Sequence, residues 1–141
     1  MTFQHSTLSA ERWSEFPFDR QILMIGNEMN RAAKLMTPSV GPSLLACYER
    51  VLALVDLTVQ VQDQPSRRRE LLRWRDLIAG LYIAGMPDER AHAAAFRCLL
   101  RFTPASSAQI PFVLPGPAAA RREMYCRAPY SRAGAAPGAS R

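Results

Sequence analysis

The chain has 141 residues, 48% of them hydrophobic, and a formal net charge of +6 at pH 7. Its length suits one ordinary domain, and no apolar run approaches the ~18 residues needed to cross a bilayer, so we expect a soluble protein with no membrane partner. The opening residues have no basic start followed by an apolar stretch, which predicts no secretory signal and a cytoplasmic location.

Three cysteines are spread along the chain at Cys47, Cys98 and Cys126. Their odd number, wide spacing and lack of a paired CxxC motif argue against a disulfide framework and against a zinc site. We expect Cys47 and Cys98 to be small buried hydrophobic residues.

The charge is unevenly distributed. Residues 1–64 carry five basic and seven acidic side chains, whereas residues 65–141 carry thirteen basic and five acidic ones. Lys34 is the only lysine. Arginine suits phosphate and carboxylate recognition better than lysine does, but an excess of arginine, alanine and proline is also what a GC-rich genome produces.

Helical periodicity begins after a polar N-terminal segment, residues 1–16, in which a short helical turn can follow Ser9. A first helix is predicted over residues 18–36, because apolar residues recur there at steps of three and four. These residues are Phe18, Ile22, Ile25, Met29, Ala32 and Met36. Thr37 and Pro38 are expected to end it.

A second helix is predicted over residues 42–62, and its apolar face is wide enough to require two neighbouring helices. A third helix is predicted from Pro65 to Ile83, and Gly85 is the expected stop. Its inner stripe consists of Leu71, Trp74, Ile78, Leu81 and Tyr82.

A fourth helix is predicted over residues 87–102, with Pro87 placed to open it. Its expected inner face is rich in small residues and comprises Ala91, Ala94, Ala95, Cys98 and Phe102. Short connections favour antiparallel neighbours, so we expect an all-α protein, a small up-and-down bundle of three to four helices over residues 17–103.

The remaining residues, 104–141, form a Pro/Ala/Arg-rich tail whose composition predicts a largely disordered basic segment. Residues 110–114 are an exception, a short apolar patch that could dock on the bundle in extended form.

Arginines cluster at the start of the third helix, where clustered cations near an aromatic suit phosphate contact and base stacking. Trp74, however, falls on the core stripe. Glu70 and Asp76 lie three residues from Arg73 and can neutralise part of the charge. The candidate phosphate contacts are Arg67, Arg68, Arg69, Arg73 and Arg75, assisted by Arg121, Arg122 and Arg127 in the tail.

Two apolar strips lie outside the expected inner faces: Leu72 and Ile83 on the third helix, and Phe96 and Leu100 on the fourth. The tail or the N-terminal segment, a second copy of the chain, or another protein could cover them. These four residues are the predicted partner-binding site.

The sequence gives little support for a catalytic role. His5 and His92 lack a carboxylate or cysteine at a useful spacing, and we expect His92 to be a solvated helix residue. Glu28, with Arg31 three residues on, favours a partly buried ion pair that fixes helix register rather than a metal site.

We therefore predict a non-enzymatic interaction protein, an adaptor, chaperone-like or assembly subunit, with no catalytic residue, cofactor or metal. Its partner would be a protein or a second copy. The alternative is nucleic-acid binding without sequence preference, for which steep salt dependence would be the signature.

Overall fold

A computed structural model describes residues 8–36 and 41–114, and these residues are mostly helical with no strand among them. The all-α class is confirmed. In chain order the helices are α1 (Ala10–Ser14), α2 (Phe18–Lys34), α3 (Gly41–Val61), α4 (Pro65–Ile83), α5 (Glu89–Leu100), α6 (Pro104–Ser107) and α7 (Ile110–Val113). The bounds of the four long helices lie within two residues of those predicted.

Two helix ends show how local chemistry sets the boundaries. Gly85 follows the end of α4 with φ +70°, the left-handed conformation that favours glycine, so the predicted stop is confirmed. Pro87 does not open α5. Asp88 is the N-cap instead, and its side chain accepts a hydrogen bond of 3.0 Å from the backbone N–H of Ala91.

The long helices share one hydrophobic core. Helix α2 packs against α3 and α5, and α4 packs against the same two helices, so each of the four contacts two others. Helix α3 also contacts α1, in keeping with the wide apolar face that its sequence predicts. The apolar residues buried between these helices include Ile22, Ile25, Met29, Val51, Val55, Leu71, Trp74, Ile78, Phe96 and Leu99.

The core also takes in the N-terminal helix. The Ser9 side chain caps α1 by accepting from the N–H of Arg12, which confirms the helical turn expected after Ser9. Trp13 is fully buried, and its Nε1 donates a hydrogen bond of 3.0 Å to Thr58 Oγ1. Buried packing therefore begins before residue 17, where we expected the helical domain to start.

Residues 104–114 are helical rather than disordered. Ser106 is fully buried, and its Oγ donates to the carbonyl of Leu100 at 2.6 Å. Ile110, Val113 and Leu114 pack against the core from a single helical turn, so the apolar patch docks, but not in the extended form expected. The rest of the predicted tail, with Arg121, Arg122, Arg127 and Cys126, lies outside the described residues, as do His5, Thr37 and Pro38.

Helix α5 buries Ala95 as expected, but the rest of its core face differs from the prediction. Phe96 and Leu100 are 2% exposed, whereas Ala94 and Cys98 face outward. The reason is size: the bulky side chains of α5 bury far more apolar area than its alanines do. The Phe96 and Leu100 side chains lie against Gly26 of α2.

Candidate interaction surface

Helix α4 exposes apolar side chains beyond its buried stripe. Leu72 is 46% exposed, Leu77 53% and Ile83 80%, and Met86 in the following turn is 78% exposed. Leu72 and Ile83 are eleven residues apart, about three helical turns, and so lie on nearly the same side of α4. Leu77 lies on the other side of the buried stripe. We call Leu72, Ile83 and Met86 the α4 apolar surface.

The four residues predicted as a partner-binding site do not come together. Leu72 and Ile83 are exposed as expected, but Phe96 and Leu100 are buried in the protein's own core. The expectation of a second exposed strip on α5 is therefore wrong, because this strip is the face that α5 packs against α2. The structure covers it within a single chain.

The five arginines of α4 have different surroundings. Arg73 Nη1 lies 2.8 Å from Glu70 Oε1, as the three-residue spacing predicts, and Arg75 reaches Asp56 of α3 with both Nε and Nη2. The guanidinium of Arg67 lies over the Phe18 ring, 4.7 Å from its centre.

Arg68 and Arg69 differ from the other three. Both are exposed, and no carboxylate of the described residues lies within 4 Å of either. Arg73 and Arg75 are thus paired with carboxylates within the chain. Arg67 stacks on a ring but, like Arg68 and Arg69, has no carboxylate partner among the described residues.

His92 is a core residue, not the solvated one expected. Its Nε2 lies 2.9 Å from the carbonyl of Met29 and its Nδ1 2.8 Å from the Tyr48 hydroxyl. A carbonyl only accepts, so Nε2 carries the proton and Nδ1 accepts from Tyr48. Burial lowers the pKa of His92 and raises that of Tyr48, so both side chains are neutral at pH 7.

Glu28 forms a wider ion-pair cluster than its sequence neighbours predict. Its carboxylate accepts from Arg31 Nη1 at 3.2 Å, the pair expected from the spacing, and also from Arg50 Nε of α3 at 3.0 Å. Glu28 is largely buried, whereas Arg31 is mostly exposed. The cluster joins α2 to α3 and fixes their relative register.

Among the described residues, 8–36 and 41–114, no helix is long and apolar enough to cross a membrane. Within the same residues, no group of three or more His, Cys, Asp or Glu side chains could hold a metal ion.

Comparison with protein-family models, with curated proteins and with solved structures gives no match for this chain.

Sequence reasoning missed Leu77, Met86 and the outward position of Cys98. Leu77 could have been found, since a helical projection places it away from the Leu71–Ile78 stripe. The predicted inner face of α5 was right at Ala95, which is buried, and wrong at Ala94 and Cys98, which are exposed.

Proposed function

We propose that this protein is a non-enzymatic interaction protein, an adaptor, chaperone-like or assembly subunit, which binds a protein partner through the α4 apolar surface. The observation that carries the proposal is the exposure of Leu72, Ile83 and Met86 after every described helix has packed. Single exposed apolar residues are ordinary in proteins, but three on one helix and its following turn favour a contact surface.

The chemistry beside this surface defines the partner. Arg68 and Arg69 lie on α4 near Leu72, and neither is paired with a carboxylate of the described residues. A partner that brings aliphatic side chains to Leu72 and Ile83 and carboxylates to the arginines would satisfy both. Such a contact holds mainly by apolar burial and depends weakly on salt.

The proposal includes a particular architecture, an up-and-down antiparallel bundle of α2, α3, α4 and α5. The contacts of α2 and α4 with both α3 and α5 support it. The short connection of residues 62–64 between α3 and α4 supports it too, because a three-residue link favours antiparallel neighbours. In this arrangement α4 contributes one stripe to the core and leaves its outer side for a partner. The absence of enzymatic activity and the cytoplasmic location stay predictions.

Site-specific photo-cross-linking tests the surface. A photoreactive amino acid at position 72 or 83 should give one discrete cross-linked protein product in the organism that encodes the chain. The same group at Glu11, exposed on α1, is the matched control and should give none. Equal cross-linking at all three positions, or none at 72 and 83, would contradict the proposal.

Nucleic-acid binding is the second candidate, and the exposure of Arg68 and Arg69 favours it. The pairing of Arg73 and Arg75 with carboxylates weakens it, since phosphates would have to displace Glu70 and Asp56. Each phosphate neutralised contributes about 0.9 to the salt slope, so a contact by two arginines has a slope near 2.

Light scattering coupled to size exclusion, with and without nuclease treatment and at two salt concentrations, separates the two candidates. Retained nucleic acid that is shed at high salt supports the second. Replacing Arg68, Arg69 and Arg73 by Gln should then abolish retention, and unchanged retention would exclude this face of α4.

A further inference from the structure

A groove runs between α4 and α5, away from Leu72 and Ile83. One section of about 340 Å³ and an adjoining section of about 390 Å³ share Glu70, Cys98, Arg101 and Phe102 as lining residues. Volumes of this order lie at the lower end of those that hold small organic ligands.

Three arginines of the described residues line this groove. Arg73 lines the second section and is paired with Glu70, whereas Arg67 lines the first section and Arg101 lines both. No carboxylate of the described residues lies within 4 Å of the Arg67 or Arg101 guanidinium. The only acidic side chain among the lining residues, Glu70, is paired with Arg73.

Arg67 is held in place by its stacking on Phe18, whose ring meets Phe102 edge to face at 6.5 Å between centres. A guanidinium over an aromatic ring has fewer conformations to lose when it binds an anion. This contact therefore prepares one side of the groove for a negatively charged group.

The other side of the groove is apolar and aromatic. Phe102 lines both sections, and Trp74 and Leu77 line the second. Trp74 is 2% exposed and its Nε1 donates to the carbonyl of Ala95 at 2.7 Å, so Phe102 and Leu77 supply most of the open carbon surface. The groove thus places Arg67 and Arg101, two cations without a carboxylate partner among the described residues, beside the apolar surface of Phe102 and Leu77.

We propose that the α4–α5 groove binds a small organic anion, with an acidic head group between Arg67 and Arg101 and a ring-sized apolar body against Phe102, Trp74 and Leu77. The head group is a carboxylate, sulfonate or phosphate, all of which match the planar donors of arginine. This site is separate from the α4 apolar surface and does not rest on the proposed function.

Two fluorescent probes of the same ring system test the site. Anilinonaphthalene sulfonate carries an anionic group, and phenylnaphthylamine has the same rings without it. The full-length folded protein should bind the sulfonate saturably at one site and at least about tenfold more tightly than the neutral probe, because two charge-assisted contacts are lost without the sulfonate.

Variants of single arginines identify the contacts. Arg67→Gln and Arg101→Gln should each weaken binding of the sulfonate about tenfold and leave the neutral probe unaffected. Arg69→Gln is the matched control, since it removes the same charge from α4 outside the groove. Arg101 has no aromatic contact to lose, so its variant keeps the test valid if Arg67→Gln unfolds part of the chain.

Cys98 gives a second readout, because its exposed thiol lines the groove. In a Cys126→Ser background, with Cys47 buried, the sulfonate probe should slow alkylation of Cys98 by iodoacetamide at least about fivefold, by direct occlusion. Binding that survives both arginine substitutions, or that leaves Cys98 fully reactive, would overturn the proposal. Neither result bears on cross-linking from positions 72 and 83.

Discussion

His92 makes the stability of the protein depend on pH. Its imidazole is neutral in the folded state, where it accepts from Tyr48 and donates to Met29, and burial lowers its pKa below the ordinary value. When the pH falls below about 6.5, the unfolded chain takes up a proton that the folded chain does not. Stability should therefore be complete above this pH and decrease below it.

Urea denaturation between pH 7.5 and 5 would measure this effect, with an expected loss of up to about 1.4 kcal/mol per pH unit below pH 6.5. His92→Gln should show a much smaller slope in the same window, even if it is less stable at neutral pH. His5→Gln removes the only other histidine of the chain and should keep the slope. A flat wild-type profile would show that His92 is protonated as easily in the folded protein as in the unfolded chain.

Two glycines near the end of α4 should respond oppositely to substitution by alanine. Gly80 lies within the helix with open space where a Cβ would go, so Gly80→Ala should stabilise the protein by about 0.5–1 kcal/mol. Gly85 has φ +70°, so Gly85→Ala should destabilise it by about 1 kcal/mol. Thermal denaturation monitored by circular dichroism would measure both, and a rise in midpoint for Gly85→Ala would contradict the assignment of this end.

At the scale of the helices, the Glu28 cluster provides a test of how α2 is joined to α3. Glu28→Gln removes the charge that holds Arg31 and Arg50, and it should cost about 1–3 kcal/mol of unfolding free energy, since both hydrogen bonds are charge-assisted. Glu70→Gln is the control on an exposed pair and should cost less than about 0.5 kcal/mol. Equal losses in urea denaturation would mean that burial adds nothing to the Glu28 pairs.

Helix α4 shows what a sequence specifies by local chemistry alone. Its start at Pro65, its end before Gly85 and its buried residues Leu71, Trp74 and Ile78 were all predictable. Each depends on the nearest few residues, because proline, a left-handed glycine and helical periodicity act over one or two turns.

The buried face of helix α5 could not be predicted from local sequence. Its alanines and its bulky residues form two competing stripes, and only packing against α2, far away in the sequence, buries Phe96 and Leu100. The hydrogen-bond partner of His92 could not be predicted for a similar reason, since Tyr48 is 44 residues away in the chain. The candidate site was accordingly half predictable: Leu72 and Ile83 on α4 are exposed, and the two residues on α5 are buried.

For the whole molecule, the burial of Trp13 predicts that the N-terminal segment contributes to global stability. Trp13→Ala would leave a cavity beside Thr58 and remove the hydrogen bond to its Oγ1, at an expected cost of about 3–5 kcal/mol. Thr58→Val, which loses the acceptor and little volume, should cost less. Urea denaturation would compare the two, and a Trp13→Ala variant as stable as the wild type would place α1 outside the cooperative unit.

The two tryptophans occupy separate junctions of the same core. Trp13 bonds α1 to α3 through Thr58, and Trp74 bonds α4 to α5 through the carbonyl of Ala95. A buried, hydrogen-bonded indole changes its fluorescence emission when water reaches it. Trp74→Phe and Trp13→Phe are therefore two single-tryptophan variants, which report on Trp13 and on Trp74 respectively. Stopped-flow fluorescence of the two variants would measure the unfolding rate at each tryptophan. The faster rate would show whether the protein opens first at its N-terminal helix or between α4 and α5.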